Sequence, residues 1–160
     1  RAYANAALAQ QGRDMPKHDM IILLSEANRG VLDRVAPDVF DEPVRREYLN
    51  MFLADPRHVM FVAVDTEIVV GMVSGVEYFH PDKSPQLWIN EVGVAPAYRR
   101  RGIGRRLTEA MVAEAERRGC TYAWLGTDIK NVPAQRCFES TADVEAPQSF
   151  LLYEWGLQED

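Results

Sequence analysis

The chain has 160 residues, of which 47% are hydrophobic and 26% charged, so it is long enough for one domain with a buried core. Its formal net charge of −6 argues against nucleic acid as the main partner. No apolar run approaches the ~20 residues that a membrane-spanning helix needs, so we expect no membrane partner.

The cysteines and histidines indicate neither a disulfide scaffold nor a metal site. Cys120 and Cys137 are too few for such a scaffold and lack metal-ligand spacing, and the three histidines are scattered. We therefore predict no metal and a reducing, cytoplasmic setting. Residues 1–18 lack the apolar region of a signal peptide, so we treat them as an N-terminal extension and place the domain at 19–160.

Hydrophobic periodicity predicts four strands and two helices in the first part of the chain. The strands fall at 19–25, 59–65, 68–78 and 87–94, with a hairpin turn at 65–67 and a loop at 80–85. The helices fall at 26–35 and 41–54. Asp41, Glu42 and Pro43 favour the start of the second helix, because acids and an early proline suit a helix N-terminus.

The second part of the chain predicts two more helices and two more strands. A helix begins after Gly102 and ends at Gly119, with arginines in its last turn. A strand at 120–127, a short helix at 131–139 and a last strand at 148–155 follow. This order predicts one α/β domain with a mixed sheet.

The sequence at 99–107, Arg-Arg-Arg-Gly-Ile-Gly-Arg-Arg-Leu, predicts a phosphate site. It lies between a strand and a helix, where unpaired N–H groups at the helix N-terminus attract anions. The glycines let a phosphate approach the backbone, and five arginines in eight positions favour a polyanionic ligand. The pattern matches neither the P-loop nor the Rossmann fingerprint. A solvated basic helix start is the alternative interpretation.

These residues, with Val92-x-Val94, Pro96 and Asn131-x-x-Ala134, resemble the core of the GNAT acetyltransferase superfamily over about residues 19–155. The resemblance implies a mixed, mostly antiparallel sheet flanked by helices, and acetyl-coenzyme A as co-substrate. Its pyrophosphate would lie on the amides of residues 100–105, and its pantetheine along 92–94 and near Asn131. The implied binding residues are Val92, Gly93, Val94, Arg99, Arg100, Arg101, Gly102, Ile103, Gly104, Arg105, Asn131 and Ala134.

Within that superfamily the chain is most similar to the GNAT-fold aminoglycoside 3-N-acetyltransferases. The matching stretches are 67–71, 87–94, 99–104 and Asp128 with Pro133 and Ala134. This similarity implies acetylation of a polycationic antibiotic, which would confer antibiotic resistance. It agrees with an acidic chain whose carboxylates suit ammonium groups. We also predict a homodimer.

Two carboxylates are candidate catalytic and acceptor-binding residues. Glu91 is a charge in an otherwise apolar strand, which points to a general base or to a structural ion pair with an arginine. Asp128 follows a core strand, where ligands of open α/β sheets bind, or else it forms a turn. Glu77 and Tyr78 are further acceptor-side candidates, with a solvated surface as the alternative.

The chain departs from its resembling enzymes at two positions. Phe138 stands where many superfamily members have a tyrosine that protonates the leaving thiolate, so Cys137, Tyr122 or Tyr153 substitutes, or coenzyme A leaves as the thiolate. Glu91 stands where those enzymes have aspartate. Acetylation of another small amine or of a protein N-terminus is the nearest alternative function, and a non-catalytic coenzyme A sensor is another.

Overall fold

The computed structural model describes residues 19–157. Within them lie the strands β1 (Met20–Leu23), β2 (His58–Asp65), β3 (Ile68–His80), β4 (Lys83–Val94) and β5 (Tyr122–Trp124). The α-helices are α1 (Arg46–Ala54), α2 (Ile103–Arg117) and α3 (Val132–Glu139), and short 3-10 helices lie at Arg29–Asp33 and Pro96–Tyr98. The predicted extension at 1–18 lies outside the described residues. No helix of the described part is long and apolar enough to cross a bilayer.

The five strands form one mixed sheet in the order β1-β2-β3-β4-β5. The first four strands pair antiparallel with their neighbours, and β5 runs parallel to β4. The β2–β3 connection is tight, because Thr66 and Glu67 both adopt the positive φ that the shortest hairpin turns require. The structure thus confirms the predicted single α/β domain with a mostly antiparallel sheet.

The two faces of the sheet are covered differently. On the α2 face, Ile103, Leu107 and Met111 of α2 are buried against the sheet. On the opposite α1 face, the 3-10 helix at 29–33, the following loop and α1 cover the first three strands.

The helices and loop that cover the α1 face of the first three strands do not extend over β5. Ala123 and Leu125 pack towards the α2 cluster, so Tyr122 and Trp124 point the other way, and they are 48% and 42% exposed. The strand spacing of Trp124 in the segment predicted at 120–127 favours a core position, and the observed exposure shows that this prediction is wrong. The α1 face of the sheet is therefore exposed at β5.

A β-bulge at Asn90 interrupts the pairing of β4 with β3. Gly75 pairs with Ile89, but the next residue of β3, Ser74, pairs with Glu91. Asn90 is therefore an extra residue in β4. Such an insertion changes which side chains point to each face beyond it.

Beyond the bulge, β4 directs its apolar and polar residues to opposite faces. Val92 and Val94 pack on the α2 face. Glu91 and Gly93 alternate with these valines along the strand and point to the α1 face, where a Cβ on Gly93 would collide with the carbonyl oxygen of Val39. The bulge therefore places a carboxylate outside the α2 core.

The predicted helix at 26–35 was wrong, since only a 3-10 helix at 29–33 forms. Asn28 explains the difference. Its Oδ1 accepts from the backbone N–H of Ser25 at 2.7 Å and its Nδ2 donates to the carbonyl of Leu23 at 2.9 Å. These hydrogen bonds fix a turn in place of a helical start.

Helix α1 begins at Arg46 and not at Asp41, because the backbone is still extended at Arg45. The sequence also predicts that Val44, Tyr48, Met51 and Phe52 point inward from this helix, and that prediction is wrong in part. Phe52 packs against the sheet as expected, together with Leu49 and Leu53. The side chains of Val44, Tyr48 and Met51 are 38%, 51% and 69% exposed.

Strand boundaries differ from the prediction towards the C-terminus. β4 begins at Lys83, so the loop predicted at 80–85 is a tight turn. β5 has three residues, whereas a strand was predicted at 120–127. The strand predicted at 148–155 does not form, because that segment pairs with no other strand of the described residues. Apolar periodicity identifies a segment suited to a sheet but not the edge that receives it.

Candidate functional site

The C-terminal half of β4 borders an opening in the sheet. β5 pairs with β4 only from Gln86 to Trp88, and the chain then leaves the sheet at 125–131. Within the described residues, β4 has no strand on that side from 89 to 94, so its outward backbone groups are available to a ligand. The predicted binding residues at 92–94 lie along this opening.

The N-terminus of α2 lies beyond the end of β4 and has unpaired N–H groups. No group of the described chain accepts a hydrogen bond from the N–H groups of residues 100–105. Arg100 and Gly102 have φ values of 62° and 75°, a feature of backbone loops that bind anions. The helix dipole adds positive potential at the same place. These groups suit a diphosphate.

Two of the five arginines around this helix start pair with carboxylates of the chain itself. Arg105 Nε lies 2.8 Å from Glu109 Oε1, and an Arg106 guanidinium nitrogen lies 3.0 Å from Asp19 Oδ2. Mutual repulsion among the arginines is therefore smaller than the sequence suggested.

The other arginines of the motif differ in what they contact. Arg99 Nε donates to the carbonyl of Val94 at 3.0 Å and ties the loop to the end of β4. Arg101 donates to the carbonyl of Ala97 at 3.1 Å. Arg100 has no side-chain hydrogen bond or ion pair with any residue from 19 to 157, so its charge is available to a ligand.

Gly102 and Gly104 are glycines for different structural reasons. Gly102 needs its positive φ and has open space around it. A Cβ at Gly104 would lie 3.0 Å from Cys137 Sγ and 3.7 Å from Val94 Cγ2, so Gly104 allows β4, α2 and α3 to meet. Burial raises the pKa of the Cys137 thiol, which favours its protonated form at this junction.

Asn131 lies at the start of α3, directly after the segment that leaves the sheet. Its Oδ1 accepts from the backbone N–H of Ala134 at 3.2 Å and caps the helix. The side-chain Nδ2 makes no hydrogen bond within the described chain. Asn131 thus caps the helix and keeps a donor that a ligand can use.

Glu91 is a half-buried carboxylate at the bulge. Burial raises the pKa of the Glu91 carboxyl above its usual value, and the negative charge of Asp41 raises it further. The ion pair with an arginine that we considered as its alternative role does not form within residues 19–157. The arrangement leaves Glu91 free to accept a proton.

Asp128 is exposed and forms a turn at the edge of the opening. Its Oδ1 accepts from the backbone N–H of Lys130 at 2.6 Å, and its carbonyl accepts from the N–H of Asn131 at 2.8 Å. These contacts account for an aspartate at this position without a catalytic role.

Glu77 and Tyr78 lie on opposite faces of the sheet. Glu77 is on the α2 face, where its carboxylate lies 3.1 Å from a guanidinium nitrogen of Arg118, so the structure does not bring it together with Glu91. Tyr78 is on the α1 face, where its hydroxyl accepts from Trp124 Nε1 at 2.6 Å and donates to Gln86 Oε1 at 2.7 Å.

Two features of the site were missed by sequence reasoning. Asp41, interpreted as part of a helix start, supplies the charge that acts on Glu91. Trp88 and Trp124 form an edge-to-face pair with ring centroids 4.2 Å apart on the α1 face, the face to which Glu91 points. Aromatic residues at strand spacing were a usable signal, but spacing alone does not distinguish a core position from an open face.

Solved structures with the same fold include several aminoglycoside acetyltransferases. The enzyme meta-AAC0020 from an uncultured soil metagenomic sample, in complex with sisomicin, has a TM-score of 0.72 and 20% identity, covering 87% of this chain and 96% of that one. AAC(6')-Iy in complex with the bisubstrate analogue CoA-S-monomethyl-acetylneamine has a TM-score of 0.68 and 16% identity, covering 86% and 99%. At these identities the similarity shows the fold.

A curated relative with a different acceptor matches part of the chain. The ribosomal protein bS18-alanine N-acetyltransferase of Escherichia coli (strain K12) is 38% identical over 55 residues. The match covers 34% of this chain and 37% of that relative, so the chain spans little more than a third of the length of the curated relatives it matches.

The acetyltransferase (GNAT) family model matches residues 23–142, which include β4, α2 and α3 with the opening between them. Acetyltransferases of this family use acetyl-coenzyme A as the acetyl donor. The chain belongs to the GNAT acetyltransferase family.

Proposed function

We propose that the chain transfers the acetyl group of acetyl-coenzyme A to an amine of an aminoglycoside, at its 3-amino group. The observation that carries this proposal is the position of Glu91. It is a half-buried carboxylate with a raised pKa beside an opening in the sheet, and the anion-binding start of α2 follows from the same strand. Glu91 thus lies about 10 Å along β4 from the end of the strand that leads to the donor site.

The residues around the opening suit acetyl-coenzyme A, which would supply a reactive thioester. The N–H groups of 100–105 and the Arg100 side chain would hold the pyrophosphate. The outward backbone groups of β4 and Asn131 Nδ2 would bind the amide groups of the pantetheine arm. Val92, Gly93 and Val94 would thereby align the thioester with Glu91.

Glu91 would remove the proton that the acceptor amine loses as its nitrogen bonds to the acetyl carbon and the carbon–sulfur bond breaks. Its raised pKa makes it a stronger base than an ordinary glutamate. Backbone N–H groups of β4 beside Gly93 would stabilise the developing oxyanion. The thiolate would leave as such or take the proton of Cys137, whose half-buried thiol lies at the start of α2.

The charge on the acceptor side supports a cationic substrate. Glu91 and Asp41 lie on the same face, the chain carries a net charge of −6, and aminoglycosides are polycations. The structure of meta-AAC0020 with sisomicin shows that a protein of this fold binds such a compound. Cytoplasmic location and a role in antibiotic resistance belong to this proposal.

A protein N-terminus is the second candidate acceptor. It is favoured by the 38% identity over 55 residues to the ribosomal protein bS18-alanine N-acetyltransferase. A peptide acceptor would carry one amine and little charge, so the acidic face would contribute little to its binding.

Release of free thiol from acetyl-coenzyme A, measured across an acceptor panel, tests the proposal. The panel contains kanamycin, gentamicin, spermidine and a peptide beginning with alanine, and NMR of the product identifies the acetylated nitrogen. We expect the aminoglycosides to give the highest kcat/KM, with acetylation at the 3-amino group. Preference for the peptide would support the second candidate, and no thiol release with any acceptor would indicate a non-catalytic binding protein.

A further inference from the structure

Two tryptophans form an aromatic surface on the α1 face of the sheet, beside Glu91. Trp88 of β4 and Trp124 of β5 lie edge to face, with ring centroids 4.2 Å apart. Trp88 is half-buried and Trp124 is 42% exposed, so the surface of the pair is open to solvent in the described chain. Apolar side chains that are exposed together, with polar groups around them, are typical of ligand-binding surfaces.

The indole rings are held in place by their own N–H groups. Trp124 Nε1 donates to the Tyr78 hydroxyl at 2.6 Å, and Trp88 Nε1 donates to Asn90 Oδ1 at 3.3 Å. An indole has no other polar atom, so both polar atoms of the pair are used within the chain. The π-face of the exposed ring remains for a ligand, and it attracts cations and electron-poor C–H groups.

A third ring borders the pair where the chain leaves β5. A Cβ on Gly126 would lie 2.9 Å from Phe150 Cζ and 3.6 Å from Trp88 Cη2. The absence of a side chain at Gly126 therefore lets the Phe150 ring approach the indole of Trp88. These three rings, Trp88, Trp124 and Phe150, form what we call the aromatic wall.

Glu91 lies between the aromatic wall and an acidic loop. On the α1 face of β4, Trp88 comes before the bulge and Glu91 directly after it, within roughly 10 Å along the strand. The carbonyl of Val39 lies against Gly93, so the loop that continues to Asp41 passes over the end of β4. The charge of Asp41 acts on Glu91 from that side. The α1 face around Glu91 thus has a second carboxylate on one side and aromatic rings on the other.

We propose that Trp88 and Trp124 bind the aminosugar ring next to the one that is acetylated, and so select a ring-bearing polycation over a linear one. With the reacting amine at Glu91, the neighbouring ring of the acceptor would stack on the exposed face of Trp124. Ammonium and hydroxyl groups make the C–H groups of such a ring electron-poor, so stacking and cation–π attraction act together. A linear polyamine offers the cation without the ring. This inference rests on the proposed function, because it takes the acceptor to be an aminoglycoside.

Fluorine NMR tests the contact without acetyl transfer. The full chain is produced with 5-fluorotryptophan, and its three tryptophan resonances are assigned with Trp88→Phe, Trp124→Phe and Trp155→Phe. Kanamycin is then titrated in the presence of coenzyme A, which carries no acetyl group. We expect the Trp124 resonance to shift most and that of Trp155, which is 79% exposed elsewhere, to stay unchanged. Trp88 and Trp124 resonances that do not move would overturn the proposal.

Matched substitutions test the selectivity, with calorimetric binding in the presence of coenzyme A as the readout. Trp124→Leu should raise the kanamycin Kd about tenfold and the spermidine Kd by less than about threefold, because only kanamycin loses the stacked ring. Trp124→Phe keeps an aromatic face and should recover part of the kanamycin affinity. Trp155→Leu is the matched control and should leave both Kd values unchanged. Equal losses for kanamycin and spermidine in Trp124→Leu would overturn the proposed selection.

The outcomes separate this inference from the proposed function. Thiol release with kanamycin while the Trp88 and Trp124 resonances do not move would overturn the inference alone. Resonance shifts with kanamycin but no thiol release would support the aromatic wall as a binding surface and overturn the proposed acetyl transfer. The resonances of the fluorinated parent do not depend on the folding of Trp124→Leu.

Discussion

At the scale of single residues, the environment of Glu91 determines how it can act. Its carboxylate is half-buried, next to a second negative charge and without an arginine partner in the described chain. Each of these conditions favours the protonated form and so strengthens the carboxylate as a base.

Replacing Glu91 with glutamine removes the proposed base and keeps the shape of the side chain. We expect Glu91→Gln to lower kcat/KM for the aminoglycoside about 10²–10⁴-fold, because general-base catalysis typically contributes that much. Higher pH should recover part of the loss, since more acceptor amine is then unprotonated. Acetyl-coenzyme A binding, measured by calorimetry, should not change.

Two matched variants complete this test. Glu91→Asp keeps a carboxylate and should retain more activity than Glu91→Gln. Asp128→Asn should cost little, because Asp128 caps a turn. Activity within threefold of the parent for Glu91→Gln, with collapse for Asp128→Asn, would make Asp128 the base.

The raised pKa of Glu91 also predicts a pH-dependent change in stability. The folded chain favours the protonated form of the Glu91 carboxyl. The stabilisation from this preference is fully present below the ordinary glutamate pKa near 4.5, and it is lost as the pH rises through the higher pKa of the folded state. Glu91→Gln should therefore raise Tm at pH 7 and leave it unchanged near pH 4. Calorimetric melts at the two pH values measure this, and an equal Tm difference at both would contradict it.

Sequence reasoning identified Glu91 because a charge in an apolar strand is unusual. It missed Asp41, which lies fifty positions earlier and is brought near only by the fold. It gave Glu77 as an acceptor-side candidate, yet the sheet alternation turns that side chain to the α2 face and Arg118. Local periodicity shows neither which distant segments lie close together nor which face a side chain occupies beyond a bulge.

At the scale of elements, α2 performs different tasks at its two ends. Its N-terminus presents free N–H groups and Arg100 to the opening. Its C-terminal turn is fixed to the sheet by Glu114 and by Arg118, which reaches Glu77 and the carbonyl of Pro56.

The N-terminal end gives a prediction about donor binding. Arg100→Ala should raise the acetyl-coenzyme A dissociation constant about tenfold, or ~1.4 kcal/mol, by removing a charge that the chain itself does not neutralise. Arg34→Ala, at an exposed pair with Glu67, is the control and should leave affinity unchanged. Calorimetry measures both, and equal affinities for parent and Arg100→Ala would remove Arg100 from the site. A valine at Gly104 is a poorer test, because it would push against Cys137.

The C-terminal end gives a prediction about stability. The Arg118 side chain is 19% exposed and links two carboxylates that are 6% and 13% exposed. Arg118→Met should destabilise the fold by about 3 kcal/mol, since both carboxylates lose a buried partner. Arg117→Met removes a side chain that is 68% exposed and should cost less than about 1 kcal/mol. Urea unfolding measures both, and similar losses would contradict the distinction.

Helix α2 was the element best predicted from sequence, because its signals are local. Gly102 and Gly119 both have positive φ and mark its two ends, as the sequence indicated. The 26–35 segment failed because its conformation depends on hydrogen bonds from Asn28, and 148–155 failed because strand formation needs a distant partner. Local signals such as helix-ending glycines can be identified from the sequence. Tertiary contacts that override a local preference cannot.

At the scale of the whole molecule, an acidic body surrounds one basic helix start. The net charge is −6 even with five arginines between 99 and 106. A polyanionic donor and a polycationic acceptor would thus meet regions of opposite sign in one small domain.

This charge distribution predicts a salt effect on the acceptor. The KM for kanamycin should rise between low and physiological ionic strength, while kcat moves less, because screening weakens attraction before binding. Spermidine should respond in the same direction, and an uncharged amine should not. Steady-state kinetics across a salt series measure this, and a salt-independent kanamycin KM would exclude charge as the basis of acceptor binding.

The bulge at Asn90 makes β4 sensitive to its own length. Removing Asn90 alone would leave Glu91 and Gly93 on one face and Val92 and Val94 on the other, since it is the extra residue of the ladder. Removing Val92, or inserting a residue beside it, would exchange the faces beyond that point. Descendants of this chain can therefore diverge by substitution along the strand, but insertions and deletions between 91 and 94 would disrupt the core and the reactive face in a single event.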